Sequence, residues 1–135
     1  MKQFTLPKSE RLYLRESIGE LFANGKSFSA FPYRVVYFVS TPAADDTTAR
    51  AERQAQCAIM TVAPKKRFKH AVDRNHVKRL TREAYRLQKL PLVEAVKAHG
   101  VTLEVAFIYV DNKFLTFDET RRIIGRAIQK LIKAL

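Results

Sequence analysis

The chain has 135 residues, enough for one domain with a buried core, and its apolar fraction of 47% with nine Phe argues against a disordered segment. Twenty-five Lys and Arg face thirteen Asp and Glu, a net charge of +12; self-repulsion of that size weakens a compact state, so a polyanionic partner is the simplest reason for carrying it. A single cysteine excludes an intrachain disulfide and gives no sign of an oxidising compartment, and no run approaches the ~18 apolar residues of a membrane span.

The opening Met1–Lys8 is a basic arm without the apolar run of a signal peptide, which points to a cytoplasmic protein. From about Ser9 to Asn24, Leu14, Ile18, Leu21 and Phe22 recur at helical spacing. Gly25 is placed to end that helix in the left-handed conformation open to glycine. Tyr33 to Val39 is dense in β-branched and aromatic residues and predicts a strand. Residues 41–54 are polar, hold Pro42, Asp45 and Asp46, and predict a long hairpin connection. It leads to a second strand at Cys57–Ala63, which Pro64 ends. A helix from about Arg74 to Lys89 stops before Pro91, and a short one from Leu92 to Ala98 is closed by Gly100. In the next strand, Val101 to Val110, residues Val101, Leu103, Val105, Phe107 and Tyr109 alternate with Thr102, Glu104 and Ala106. Thr116 and Glu119 have capping-box spacing. The terminal helix gathers Ile123, Ile124, Ala127, Ile128, Leu131 and Ile132 on one face, with Arg121, Arg122, Arg126, Lys130 and Lys133 largely elsewhere. Without a repeat or a regular strand–helix alternation, these elements predict one α+β domain over 1–135, a sandwich of a small sheet and helices.

Charge is concentrated in residues 65–89. Lys65, Lys66, Arg67, Lys69, Arg74, Lys78, Arg79, Arg82, Arg86 and Lys89 are opposed there only by Asp73 and Glu83, so this window carries +8 of the +12. At about 100° per residue counted from Arg74, positions 78, 79, 82, 86 and 89 fall within an arc of roughly 140°. Val77, Leu80, Ala84 and Leu87 fall between roughly 220° and 300°. Glu83 can reach Arg79 one turn earlier, a pair worth ~0.2–0.5 kcal/mol. That leaves Arg74, Lys78, Arg82 and Arg86 as a row whose neighbours repel by a comparable amount. Such a row is unfavourable on an isolated helix and favourable against phosphates. Arginine can also donate two hydrogen bonds to one phosphate and stack on a base. The helix start, near Arg74 and Asn75, offers further anion-binding donors. A solvated amphipathic helix is the bland alternative; a membrane-surface helix fits less well, because the narrow apolar strip is needed for the core.

The run Lys65-Lys66-Arg67-Phe68-Lys69-His70-Ala71-Val72-Asp73-Arg74-Asn75-His76-Val77-Lys78-Arg79-Leu80-Thr81-Arg82 resembles the signature of the bacterial ribonuclease P protein subunit. In that family a pair of lysines follows a strand, and after a short loop come an Arg-Asn-Arg element, a Lys-Arg pair and a further Arg. Arg74, Asn75, Lys78, Arg79 and Arg82 match these positions. Leu6 to Leu12 and Phe22 to Phe28 are similar to the family's opening helix and the turn behind it. Two features depart from the pattern: His76 stands where a second Arg is usual, giving up one permanent charge, and the loop from Lys66 to Ala71 is longer than the commonest form. The resemblance implies a small mixed four-stranded sheet with a left-handed β-α-β crossover, against the general right-handed preference. It implies that a catalytic RNA, with magnesium held mainly by that RNA, removes the 5′ leader of precursor tRNA. The expected partners are therefore ribonuclease P RNA and precursor tRNA, with no membrane and no obligatory protein partner. RNA binding then falls to Lys65, Lys66, Arg67, Arg74, Asn75, Lys78, Arg79, Arg82 and Arg86. The leader would lie in a cleft along the sheet, for which Phe22, Tyr33, Tyr37 and Arg34 are the candidates, with Phe38 and Lys26 behind them. Strand alternation puts Tyr33 and Tyr37 on one face and Phe38 on the other, so they cannot all line one groove.

No catalytic constellation accompanies this charge. His70, His76 and His99 lack Cys or carboxylate partners at metal-ligand spacing, and the four glycines form no nucleotide loop. Cys57 sits in an apolar strand and is expected to be a buried small hydrophobe. Three rivals remain: a ribosomal or RNA-chaperone protein, a helix-turn-helix DNA-binding protein and a metal-dependent nuclease acting alone. The second needs a packed helix before the recognition helix, where this chain has a strand and a loop. The third needs paired carboxylates or a histidine pair beside the basic face.

Overall fold

The computed structural model describes residues 15–40 and 57–135. In chain order its elements are α1 (Arg15–Asn24), β1 (Lys26–Ala30), β2 (Tyr33–Ser40), β3 (Cys57–Val62), α2 (Ala71–Gln88), α3 (Leu90–His99), β4 (Thr102–Tyr109) and α4 (Phe117–Ala134). The basic arm, residues 9–14 of the expected first helix and the polar 41–54 segment lie outside the described residues.

The sheet is mixed and four-stranded, in the order β1-β2-β4-β3. β2 runs antiparallel to both β1 and β4, while β3 runs parallel to β4. This is the expected α+β sandwich, with two corrections. Residues Lys26–Ala30, of which those up to Phe28 are assigned by resemblance to the turn behind the first helix, form a strand, because β2 offers them a full register from Lys26↔Tyr37 to Ala30↔Tyr33. The Tyr33 and Cys57 strands do not pair as a hairpin, since β4 lies between them. β3 instead reaches its parallel neighbour β4 through α2 and α3, as a parallel pair requires.

The pleat sends alternate residues to opposite faces. On one face Tyr33, Val35, Cys57, Ile59, Leu103, Val105, Phe107 and Tyr109 meet α2, α3 and α4 through Val77, Ala84, Tyr85, Leu92, Val96, Ile124, Ala127, Ile128 and Leu131. Each large side chain buried there contributes about 1.5–3 kcal/mol. On the other face Leu21 of α1 packs on Val36, Ala58 and Ala106. β4 is therefore covered on both sides, which accounts for Glu104 and Ala106 being buried along with its core residues. Cys57 is buried, as its apolar strand implied.

The helix ends follow local chemistry. Thr116 and Glu119 form the reciprocal capping box of α4. Gly100 caps α3 at φ 64°, its N–H donating to the Lys97 carbonyl while the Val101 N–H donates to that of Val96. Gly25 ends α1 for a different reason than expected, since Gly100 is the one glycine with positive φ among the described residues. A Cβ at Gly25 would lie 2.3 Å from the Leu21 carbonyl oxygen and 2.9 Å from that of Tyr37. Glycine is needed there for space between α1 and β2 rather than for a left-handed turn.

Candidate nucleic-acid interface

Helix α2 begins at Ala71, three residues before the expected start, and ends at Gln88. The anion-binding donors of its N-terminus thus precede Arg74 and Asn75 instead of coinciding with them. Its buried residues are Val77, Thr81, Ala84 and Tyr85, with Leu80 and Leu87 only half-buried. Relative to the predicted apolar strip, the inner face is turned by roughly 60° towards the basic arc. Two polar atoms explain the turn. The Thr81 hydroxyl lies 2.7 Å from the Tyr33 hydroxyl and donates to the Val77 carbonyl, and the Tyr85 hydroxyl lies 3.4 Å from Cys57 Sγ. Burial pushes the Tyr33 phenol up to about 12, against the opposing hydrogen bond with Thr81.

The cations fall into separate roles. Lys65, Lys66, Lys69, Asn75 and Arg79 are exposed, and Lys78 is half-buried at the margin of the core. Arg74 is a brace as well as a charge: Nη1 donates to the Phe68 and Lys69 carbonyls at 2.9 and 3.0 Å, tying the 65–70 turn to α2. Arg82 leans towards β3, with Nη1 3.4 Å from the Thr61 hydroxyl. Arg67 Nε is buried without a hydrogen-bond partner, the one such side-chain atom among the described residues. Two expectations need correction. Glu83 pairs with Arg86, through bonds of 3.1 and 2.8 Å, and not with Arg79. The Arg86 hydrogen bond holds the Glu83 carboxyl below its ordinary range. Lys89, expected in the basic arc, is buried where α2 gives way to α3.

The proposed cleft residues separate by face. Arg34 is exposed on the α1 side of the sheet, opposite Ser29 and Ile108. Phe22, on α1 itself, is 48% exposed, and Phe38, Met60 and Ile108 are half-buried around Leu21. Tyr33 and Tyr37 lie on the opposite face. Tyr33 is closed off beneath α2, and Tyr37 packs against Phe28 at 5.9 Å. Neither ring can line a groove on the α1 side with Phe22 and Arg34. Lys26 is exposed on β1, on the Tyr37 side of the sheet.

Sequence reasoning missed an aromatic series that runs from the core to the surface. Tyr85 meets Phe107, Phe107 meets Tyr33, Tyr33 meets Tyr109 and Tyr109 meets Phe68, with centroids 5.2–6.3 Å apart. Phe68 then stacks on Phe114 at 5.1 Å and 22°, and Phe114 meets the His76 ring at 5.4 Å and 81°. The available signal was a lone Phe in the short polar loop after β4, beside Lys113.

A mixed sheet with helices on it, and cations gathered on the outer side of one helix and its leading turn, defines a basic RNA-binding α+β protein. A family model described as Ribonuclease P matches residues 6–131. The "Ribonuclease P protein component" of Porphyromonas gingivalis ATCC 33277 is 40% identical over 127 residues, covering 94% of this chain and 83% of the relative. That of Chlorobium phaeobacteroides is 30% identical over 134 residues, covering 94% and 88%. The Staphylococcus aureus RNase P protein, solved at 2.0 Å, shares the fold with a TM-score of 0.59 at 18% identity, over 93% of this chain and 97% of that one. The chain belongs to the ribonuclease P protein component family. A ribosomal or RNA-chaperone role is not favoured by these relatives.

Proposed function

We propose that the chain is the protein subunit of a ribonuclease P ribonucleoprotein acting in the cytoplasm on precursor tRNA. Helix α2 and the 65–69 turn hold the RNA subunit, and the sheet face beside α1, with Phe22 and Arg34, receives the 5′ leader. The RNA carries out the hydrolysis, with magnesium bound mainly by RNA. The observation that carries this reading is the sorting of α2: core residues inward, and Asn75, Lys78, Arg79 and Arg82 outward or at the margin, beside the exposed Lys65, Lys66 and Lys69. Phosphates supply the negative charge such a surface lacks. Among the described residues no three His, Cys, Asp or Glu side chains gather into a set that could hold a metal ion. A magnesium cage built by those residues does not fit, and the reading needs none. Among the described residues, too, no helix is long and apolar enough to cross a membrane.

Reconstitution tests the proposal. The protein is combined with a ribonuclease P RNA, and cleavage of precursor tRNA is compared with and without it at low magnesium. Enhanced removal of the leader is expected. No enhancement at any protein concentration refutes the reading, and cleavage by the protein without RNA refutes the assignment of chemistry to the RNA.

A further inference from the structure

We propose that Phe114, backed by Phe68, is a stacking platform for one unpaired nucleobase of the RNA that α2 holds; the inference rests on the function proposed above. Four large apolar side chains are exposed among the described residues: Phe22, Phe31, Val72 and Phe114. Of these, Phe114 alone is held by other rings. Phe68 lies nearly parallel to it and is itself only 5% exposed, and the His76 ring abuts it. Half of the Phe114 side chain remains open to solvent.

The platform is fixed from both sides. Tyr109 donates its hydroxyl hydrogen to the Lys113 carbonyl, pinning the loop immediately before Phe114. Arg74 holds the Phe68 carbonyl from α2. A ring ordered in advance loses little conformational entropy on binding. The surroundings suit a nucleotide. Lys113 and Lys69 are exposed beside the two phenyl rings in sequence, and the Arg74 guanidinium sits at the Phe68 backbone. The acidic side chains nearby in sequence are Asp73, Asp111, Asp118 and Glu119; Asp111 already accepts from the Asn112 N–H, and Glu119 from the Thr116 N–H. One half-open phenyl ring is far below the roughly 800 Å² per partner of a stable protein interface, whereas a single base needs one π-face and a neighbouring cation for its phosphate. His76, where the family usually has Arg, gives the loop an aromatic neighbour at that position.

The chain contains no tryptophan, so Phe114→Trp installs the only indole at the platform. Its emission is followed while ribonuclease P RNA, a single-stranded oligoadenylate or the same oligoadenylate in a duplex is added, with binding measured in parallel by anisotropy of labelled RNA. Quenching by the first two and not by the duplex is expected. Phe114→Leu, which keeps an apolar side chain without a π-face, is expected to weaken binding to ribonuclease P RNA about 5- to 150-fold, the equivalent of about 1–3 kcal/mol. Its salt dependence should be unchanged, because no phosphate contact is lost. Unaltered emission while anisotropy reports bound RNA overturns the platform and leaves the function standing. Affinity of a folded Phe114→Leu protein within about twofold of the wild type does the same. Should the wild-type chain bind none of these RNAs, the function fails and the platform with it.

Discussion

Replacing Arg74 separates what its charge does from what its shape does. One nitrogen donates to two backbone carbonyls, those of Phe68 and Lys69, at 2.9 and 3.0 Å; the first bond is partly buried and the second exposed. A hydrogen bond from a charged donor is worth about 1.5–3 kcal/mol, less where water can take the donor's place. Arg74→Ala is therefore expected to cost about 2 kcal/mol, the first bond supplying most of it. For a domain of this size that is a fall in Tm of roughly 6–10 °C. Arg74→Lys retains the charge and lacks the guanidinium fork, so most of that loss should persist. Binding to ribonuclease P RNA divides the two variants the other way. Alanine should flatten the slope of log affinity against log salt by roughly 0.7–0.9, the share of one phosphate, while lysine should leave it near the wild-type value. Thermal melts by circular dichroism and titrations at several salt concentrations measure both effects. An Arg74→Ala protein melting within about 2 °C of the wild type would show that the brace carries no load, and equal slopes for the two variants would remove Arg74 from the phosphate surface.

Glu83→Gln breaks the ion pair with Arg86 and removes a carboxylate from the binding side. Affinity for the RNA should rise and the salt slope steepen by roughly 0.7–0.9; an unchanged slope would place Arg86 away from the RNA. Tyr33 ionises near 10 in the unfolded chain and at about 12 when folded. Above pH 10 the unfolded state holds fewer protons, so stability should fall as pH rises from about 10 to 12, by up to about 1.4 kcal/mol per pH unit from this residue. Burial raises Tyr109 in the same direction, so Tyr33→Phe should show a shallower alkaline loss in urea unfolding rather than none; an unaltered profile would contradict the burial of the phenol. Gly25→Ala drives a Cβ against two carbonyl oxygens and should destabilise by about 1–3 kcal/mol, with an unchanged Tm refuting the close approach of α1 to β2.

Patterns within one element were legible in the sequence, and choices between elements were not. The alternation of β4, the aromatic run of β2 and the Thr116/Glu119 box are local, and all three hold. Lys26–Ala30 contains a single large apolar residue, Phe28, so only pairing with β2 makes it a strand. The order of strands depends on contacts that no periodicity encodes. Glu83 had basic neighbours on both sides along the helix. The cation on its C-terminal side took it, the orientation that the helix dipole favours. Lys78 and Arg79 could be placed on the outer side of the helix from spacing, and the 65–66 lysines from the resemblance alone. The second task of Arg74 could not, because it exists only once the 65–70 turn folds back on α2. Tyr33 carries the same lesson: an aromatic on a strand has two faces to choose from, and a buried hydroxyl partner at Thr81 decided it.

The central place of β4 has a consequence for the order of assembly. Translation proceeds from the N-terminus, so β1 and β2 can join as they emerge, while β3 waits for the strand at Thr102–Tyr109. Until then α2 lacks the sheet face on which Val77, Ala84 and Tyr85 pack. The inner face of α2 is thereby completed only once the chain has been made through β4.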